Sequence, residues 1–207
     1  MYALWMIANV FTFVSLGSTA MTARFVGAGD MPFANRVMNQ SITAGTIWAA
    51  IIMLVSLPLV DDFVAAMGLE GTAAAAADRY LHIELYVLAA VMIERVGIAC
   101  LRGAGDTVSG LIVMGLVNIV NMVLSYALAT GLGSFPQLGW TGIALGTAIG
   151  HCCGALMILA LLITGRAGYR LRFSSLRPDW PLIRRILRVG IPGGFDTCAV
   201  SLCHLLY

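Results

Sequence analysis

The chain has 207 residues and a net charge of +2, and it is 60% hydrophobic but only 11% charged, less than half the roughly 25% charge of a soluble domain. A single core of this size cannot hide so much apolar surface, which excludes an ordinary soluble fold. The sequence has no basic face interleaved with aromatics, which excludes nucleic-acid binding.

In chain order, Met1 to Ala23 contains no charge; a helix of that length covers about 35 Å, enough to cross a bilayer. Val37 to Val60 is a second uncharged span, and Tyr80 to Leu101 a third that carries His82, Glu84, Glu94 and Arg95. From Thr107 to Gly165 there is no Asp, Glu, Lys or Arg, a run too long for one helix. The turn-rich Thr130 to Gly139, "TGLGSFPQLG", divides it into spans of Thr107 to Ala129 and Trp140 to Thr164. A sixth span opens near Val189. Residues 1–164 therefore read as five transmembrane helices, 165–188 as an Arg-rich linker, and 189–207 as the start of the next helix. In the linker, Leu182, Ile183, Ile186 and Leu187 recur at helical spacing between Arg184, Arg185 and Arg188, the pattern of an amphipathic helix at the membrane surface. Long uninterrupted apolar runs argue against a barrel, which needs short strands of alternating polarity.

The tetrapeptide Gly-Ala-Gly-Asp occurs twice, 76 residues apart, as Gly27, Gly29, Asp30 and again as Gly103, Gly105, Asp106. Glycine takes the positive φ that ends a helix, and aspartate caps the next helix start. The period is that of a duplicated helical hairpin. Two spans separate the copies, so both turns lie on one side. All twelve basic residues are arginine, and Arg24, Arg36, Arg102, Arg166, Arg170, Arg172, Arg177, Arg184, Arg185 and Arg188 flank that side, against Arg79 alone on the other. Basic residues are retained on the cytoplasmic side. The expected location is thus a plasma membrane, the inner membrane of a bacterium, with the tetrapeptide turns and the linker cytoplasmic.

Several polar groups sit inside these spans. Asn118, Asn121 and Ser125 share a face of the fourth span; they read either as interhelical hydrogen bonds or as the lining of a wet cavity. Asn9 and Thr12 share a face of the first. Gly142, Gly146, Gly150 and Gly154 form a small-residue stripe that admits a close neighbouring backbone. Glu84, Glu94, Arg95 and Asp196 are the costly charges, and intramembrane ionisable groups are functional candidates. His151 joins them as a candidate for proton-linked work. Five cysteines at no metal-ligand spacing read as reduced, buried thiols, so no metal site is expected. The histidines are scattered and no Ser/His or paired-Asp constellation stands across the spans, so no enzyme and no catalytic residue is expected.

The segments "FVGAGDMPFANR", "YLHIELYVLAAVMIERVGIACLRGAGDT", "VNIVNMVLSYALATGLG", "GWTGIALGTAIGHCCGALM" and "RRILRVGIPGGFD" resemble, in this order, segments of the MATE (multidrug and toxic compound extrusion) family, over nearly the whole chain. The resemblance implies an all-α integral membrane protein, a helical bundle forming most of one six-helix lobe of a twelve-helix, two-lobed transporter. It implies family helices two to six and the opening of the seventh, with the first helix and the second lobe absent from this fragment. It further implies export of drugs or other cationic or amphipathic compounds in exchange for Na+ or H+, with no other cofactor. By the same resemblance Asn118 and Asn121 match the Asn-rich fifth helix, with Ser125 where many members have a further Asp or Asn. Asp196 matches an acid four residues after the seventh-helix proline, and Val200 stands where others have Glu. With the residues above, this makes Asn118, Asn121, Ser125, Asn9 and Thr12 the expected cavity lining, and Asp196, Glu94 and His151 the expected ion-coupling groups. The expected partners are the lipid bilayer, a small-molecule substrate and the second lobe. The alternatives are a lipid-linked precursor flippase of related architecture, against which Arg95 is the only intramembrane cation, and a non-transporting truncated membrane protein.

Overall fold

The computed structural model describes residues 12–133, 135–165, 168, 170–171 and 177–206, of which 196–206 by backbone alone. Among the described residues eight α-helices follow one another: α1 (Thr12–Gly27), α2 (Met31–Ser56), α3 (Val60–Ala66), α4 (Gly71–Tyr86), α5 (Leu88–Gly103), α6 (Thr107–Thr130), α7 (Trp140–Thr164) and α8 (Trp180–Leu206). No strand occurs among the described residues. Three helical stretches there are long and apolar enough to cross a membrane: Met31–Ala66, Thr107–Thr130 and Trp140–Thr164.

Helix boundaries follow local chemistry. The second apolar run stays helical beyond Ser56, but tightens to a 3-10 turn at Leu57–Leu59. Pro58 there has no N–H to donate. The third run is two helices, broken at Val87 (φ −95°, ψ 4°), whose amide still reaches the Ile83 carbonyl at 3.4 Å. Helix α8 begins at Trp180 and runs unbroken through Arg188 and Val189, with Pro192 inside it.

Each copy of Gly-Ala-Gly-Asp builds the same turn. After α1 the Asp30 amide donates to the Phe25 carbonyl at 2.9 Å and the Gly29 amide to Val26 at 3.0 Å. After α5 Asp106 donates to Leu101 at 2.9 Å and Gly105 to Arg102 at 3.0 Å. This nested pair of bonds requires a left-handed residue at its centre, supplied by Gly29 (φ 75°) and Gly105 (φ 89°). The same aspartates start the next helices. Asp30 Oδ1 accepts the Phe33 amide at 3.1 Å, and Asp106 Oδ1 accepts the Ser109 amide at 3.0 Å. Asp106 Oδ2 also accepts the Ser109 hydroxyl at 2.7 Å.

The chain divides into two compact units. The first comprises Met1–Thr46, Met92–Gly110 and Ile158–Tyr207. In it Met21, Val37, Leu182 and Ile186 form a buried cluster flanked by Phe25 and Phe33. The apolar side of the Arg-rich segment is thus turned to protein, while Arg184, Arg185 and Arg188 are exposed. Helices α1 and α8 approach at glycines: a Cβ on Gly17 would strike the Ile186 carbonyl, and one on Gly190 the Phe13 carbonyl. The segment before α8 is held by α2. Gln40 donates to the Arg177 carbonyl at 2.8 Å and accepts from the Asp179 amide at 2.9 Å, Asn35 accepts the Arg170 amide at 2.8 Å, and Arg36 pairs with Asp179.

The second unit comprises Ile47–Val91 and Leu111–Met157. Its centre is the contact of α6 with α7, along the glycine stripe. A Cβ on Gly142 would lie 2.5 Å from the Leu128 carbonyl carbon, one on Gly146 would overlap Ser125, and one on Gly150 would lie 3.0 Å from the Val117 carbonyl oxygen. Most residues that face outward on these helices are large and apolar, among them Leu111, Ile119, Met122, Val123 and Leu156. That is the surface of a helix that meets lipid.

Candidate functional site

In the second unit the close approach of α6 and α7 brings side chains near the middle of α6 into reach of α7. The Asn121 amide donates to the Thr147 hydroxyl at 2.7 Å, and the Ser125 hydroxyl donates to the Ile143 carbonyl at 3.2 Å. Thr147 itself donates to that carbonyl at 3.0 Å. Helix α4 adds Tyr80, whose hydroxyl turns to Thr147, and Glu84, on which His151 of α7 acts electrostatically. A polar line therefore runs through the contact of α6 with α7, Ser125, Thr147 and Asn121, with Tyr80 of α4 at Thr147; Glu84 and His151 stand one helical turn further along α4 and α7. Beside it, Asp78, Arg79, His82, Ile83, Tyr86 and Thr141 line an open cavity of about 380 Å³.

The residues singled out from the sequence are distributed as follows. Asn121 and Ser125 lie along this line, and His151 is half-buried on α7, one turn beyond Thr147. Asn118 is on α6 but exposed, and its amide donates to the Met114 carbonyl of its own helix at 2.8 Å. Glu94 belongs to the first unit, where it is 1% exposed and engaged with a partner. Thr12 is half-buried at the start of α1, also in the first unit. Asn9, Arg166, Arg172 and the side chain of Asp196 lie outside the described residues. Among the described residues no group of His, Cys, Asp and Glu has the geometry of a metal site.

Tyr80 and Thr147 escaped the reading of the sequence, and Glu84 was noted there only as a costly charge. A signal was present. Tyr80 and Glu84 are four residues apart, as are Thr147 and His151, so each pair occupies one helix face. Nothing in the sequence said that the two faces meet.

An all-helical chain with spanning helices, lipid-compatible outer faces and a polar line inside its helix contacts is a multi-pass membrane protein. It belongs to the MatE family, whose model matches residues 1–127, more than half of the chain. It is similar to a protein described as a probable multidrug resistance protein NorM from Thermotoga maritima, at 32% identity over 204 residues, 98% of this chain and 44% of that protein. It is also similar to the multidrug export protein MepA of Staphylococcus aureus, at 25% identity over 177 residues, 86% of this chain and 38% of that one. Among solved structures it matches an inward-facing conformation of a multidrug resistance MATE family transporter of the MOP superfamily, with a TM-score of 0.86 and 26% identity over 98% of this chain and 45% of that one. An outward-facing conformation of such a transporter matches with a TM-score of 0.88 and 25% identity over 99% of this chain and 45% of that one. The chain thus spans less than half the length of the relatives it matches.

Proposed function

We propose that this chain is part of a secondary active efflux transporter that exports drugs or other cationic or amphipathic compounds in exchange for Na+ or H+. The observation that carries the reading is its similarity to proteins described as multidrug resistance and multidrug export proteins, over nearly its whole length. The polar line along α6 and α7 supports it, since polar side chains inside a bundle mark substrate and ion paths. The comparable match to inward-facing and outward-facing transporters supports a lobe that keeps its internal packing while access alternates around it. In this reading a second lobe completes the cavity, and Asn118, Asn121 and Ser125 face it, with Thr12 and Asn9 on the first span. Glu94, His151 and Asp196 are the coupling candidates. The protein performs no covalent chemistry. It resides in a bacterial inner membrane with the two tetrapeptide turns and the Arg-rich segment in the cytoplasm, as the arginine distribution favours.

The test is drug resistance in a bacterium stripped of its own efflux pumps and expressing the full-length protein that carries this chain. Resistance should rise above that of the empty vector. It should return to the vector's level with Asn118→Leu and Asn121→Leu together, at equal membrane expression. Resistance unchanged by the double substitution removes the cavity assignment; a full-length protein that confers none, tested over a panel of cationic compounds, removes the efflux reading.

A further inference from the structure

In the first unit Phe25, near the end of α1, is a fixed ring. It packs against Phe33 of α2 at 4.3 Å between centroids and flanks the buried cluster of Met21, Val37, Leu182 and Ile186. Two guanidinium groups stand over it, Arg24 of its own helix and Arg185 of α8, each 6.0 Å from the ring centre. Their charges are therefore at most about 12 Å apart, twice that distance. A guanidinium resting on an aromatic face keeps its N–H donors, which lie in its own plane, for a second partner, and phosphate matches their fork. No such partner comes from within. Among the described residues Arg24, Arg184, Arg185 and Arg188 have no carboxylate at ion-pair distance. Of the acids at this end, Asp179 pairs with Arg36 and Asp30 caps α2. The gathered positive charge attracts an anion from outside.

The outward side of α8 indicates which anion. Trp180, Arg184, Arg188, Ile191 and Phe195 are exposed and recur along one helix face, with Leu182, Ile183 and Ile186 buried on the other. The character of the exposed side changes once, between Arg188 and Val189. Before that point it carries Trp180 and the three arginines; after it come Val189, Ile191 and Phe195, the last 66% exposed. Arg188 and Phe195 are about 10 Å apart along the axis, within the roughly 15 Å of hydrocarbon in one leaflet. A soluble phosphate compound would use the arginines and leave the apolar residues in water. A phospholipid uses both, with its phosphate at the arginines, its chains along Val189, Ile191 and Phe195, and Trp180 at headgroup level, where an indole prefers to lie. We propose that Arg24, Arg184, Arg185 and Arg188, ordered by Phe25, form a binding site for the headgroup of an anionic phospholipid. A zwitterionic headgroup brings its own cation, which these arginines repel, so the site selects for net negative charge. A bound lipid ties the end of α1 to the start of α8. Only the assignment to the inner leaflet rests on the sidedness proposed above.

The site is measured without transport. The full-length protein carrying this chain, its tryptophans replaced by phenylalanine and a single reporter introduced as Ile191→Trp, is placed in vesicles of phosphatidylcholine with brominated chains, which quench the reporter. Unbrominated phosphatidylglycerol is then added in rising proportion, and the recovery of fluorescence reads its competition for the site. Phosphatidylglycerol should be preferred by roughly tenfold, as two basic residues worth about fivefold each at an anionic surface allow. Arg24→Gln with Arg185→Gln should lower the preference to about twofold or less, and Arg24→Lys with Arg185→Lys should retain part of it. Arg79→Gln, on α4, should leave it unchanged, and a reporter at Met122→Trp, on α6, should show none. If the paired Gln variant does not fold, Arg24→Gln and Arg185→Gln are read singly, and each should lower the preference. A preference that survives the loss of both arginines, or that is equal at positions 191 and 122, removes the site. Absence of quenching at position 191 means that another part of the protein covers this face, and removes it too. A preference erased by inorganic phosphate at matched ionic strength assigns the arginines to a soluble phosphate instead. The readout requires no efflux, so this proposal and the efflux reading fall separately.

Discussion

Asp30 and Asp106 each serve two helices, ending one through the backbone amide and starting the next through the carboxylate. Replacing such a cap by alanine costs about 1 kcal/mol. Asp30→Ala and Asp106→Ala should each lower the unfolding midpoint of the detergent-solubilised protein, the second more, because it also loses the Ser109 hydroxyl. Gly29 should be the sensitive glycine of its tetrapeptide. At φ 75° an alanine there is strained by about 1 kcal/mol or more, whereas Gly27 is helical with open space where its Cβ would go, so Gly27→Ala should be neutral in the same assay. The two asparagines of α6 should also separate. Asn121→Leu removes the bond to Thr147, worth about 0.6 kcal/mol on average between membrane helices. Asn118→Leu touches only its own helix and should leave the midpoint unchanged.

At the scale of elements, the close contacts run through glycines. Helices α6 and α7 meet where Gly146 faces Ser125, and α1 and α8 where Gly17 faces Ile186. A side chain at either point must push a backbone aside. Gly146→Val and Gly17→Val should each destabilise by about 1–3 kcal/mol, the range for overpacking. Gly115, on α6, has open space around its Cβ position; Gly115→Ala should be neutral or stabilising by up to about 1 kcal/mol, following helix propensity. Loss of fold at position 115 and tolerance at 146 would contradict the packing. The elements also show where hydropathy misleads. An uncharged run marks apolar surface, not a helix boundary, so the interruption at Val87 and the 3-10 turn at Leu57–Leu59 left no trace in the composition. The amphipathic pattern of Leu182, Ile183 and Ile186 reads as well for a membrane surface as for a protein one. In the fold Leu182 and Ile186 pack with Met21 and Val37.

For the molecule as a whole, sidedness is the property that the arginine count argues and labelling can measure. Single cysteines at Ala28 and Ala104, in a cysteine-free background, should react with a membrane-impermeant maleimide only from the cytoplasmic side, and one at Gln137 only from the opposite side. Labelling of Ala28 and Ala104 from different sides would break the hairpin repeat. The helical class and the MatE membership were legible in the chain itself. Apolar length and small-residue spacing are local properties that every helix carries with it, and the tetrapeptide turns hydrogen-bond within a few residues of themselves. The polar line was only partly legible. The face shared by Asn121 and Ser125 could be drawn from spacing alone. That Asn121 meets Thr147, that Gln40 holds the backbone at Arg177 and Asp179, and that Arg24 and Arg185 stand over one ring, Phe25, were decided by tertiary structure. Spacing along a helix states which side chains share a face, and only packing states which faces meet.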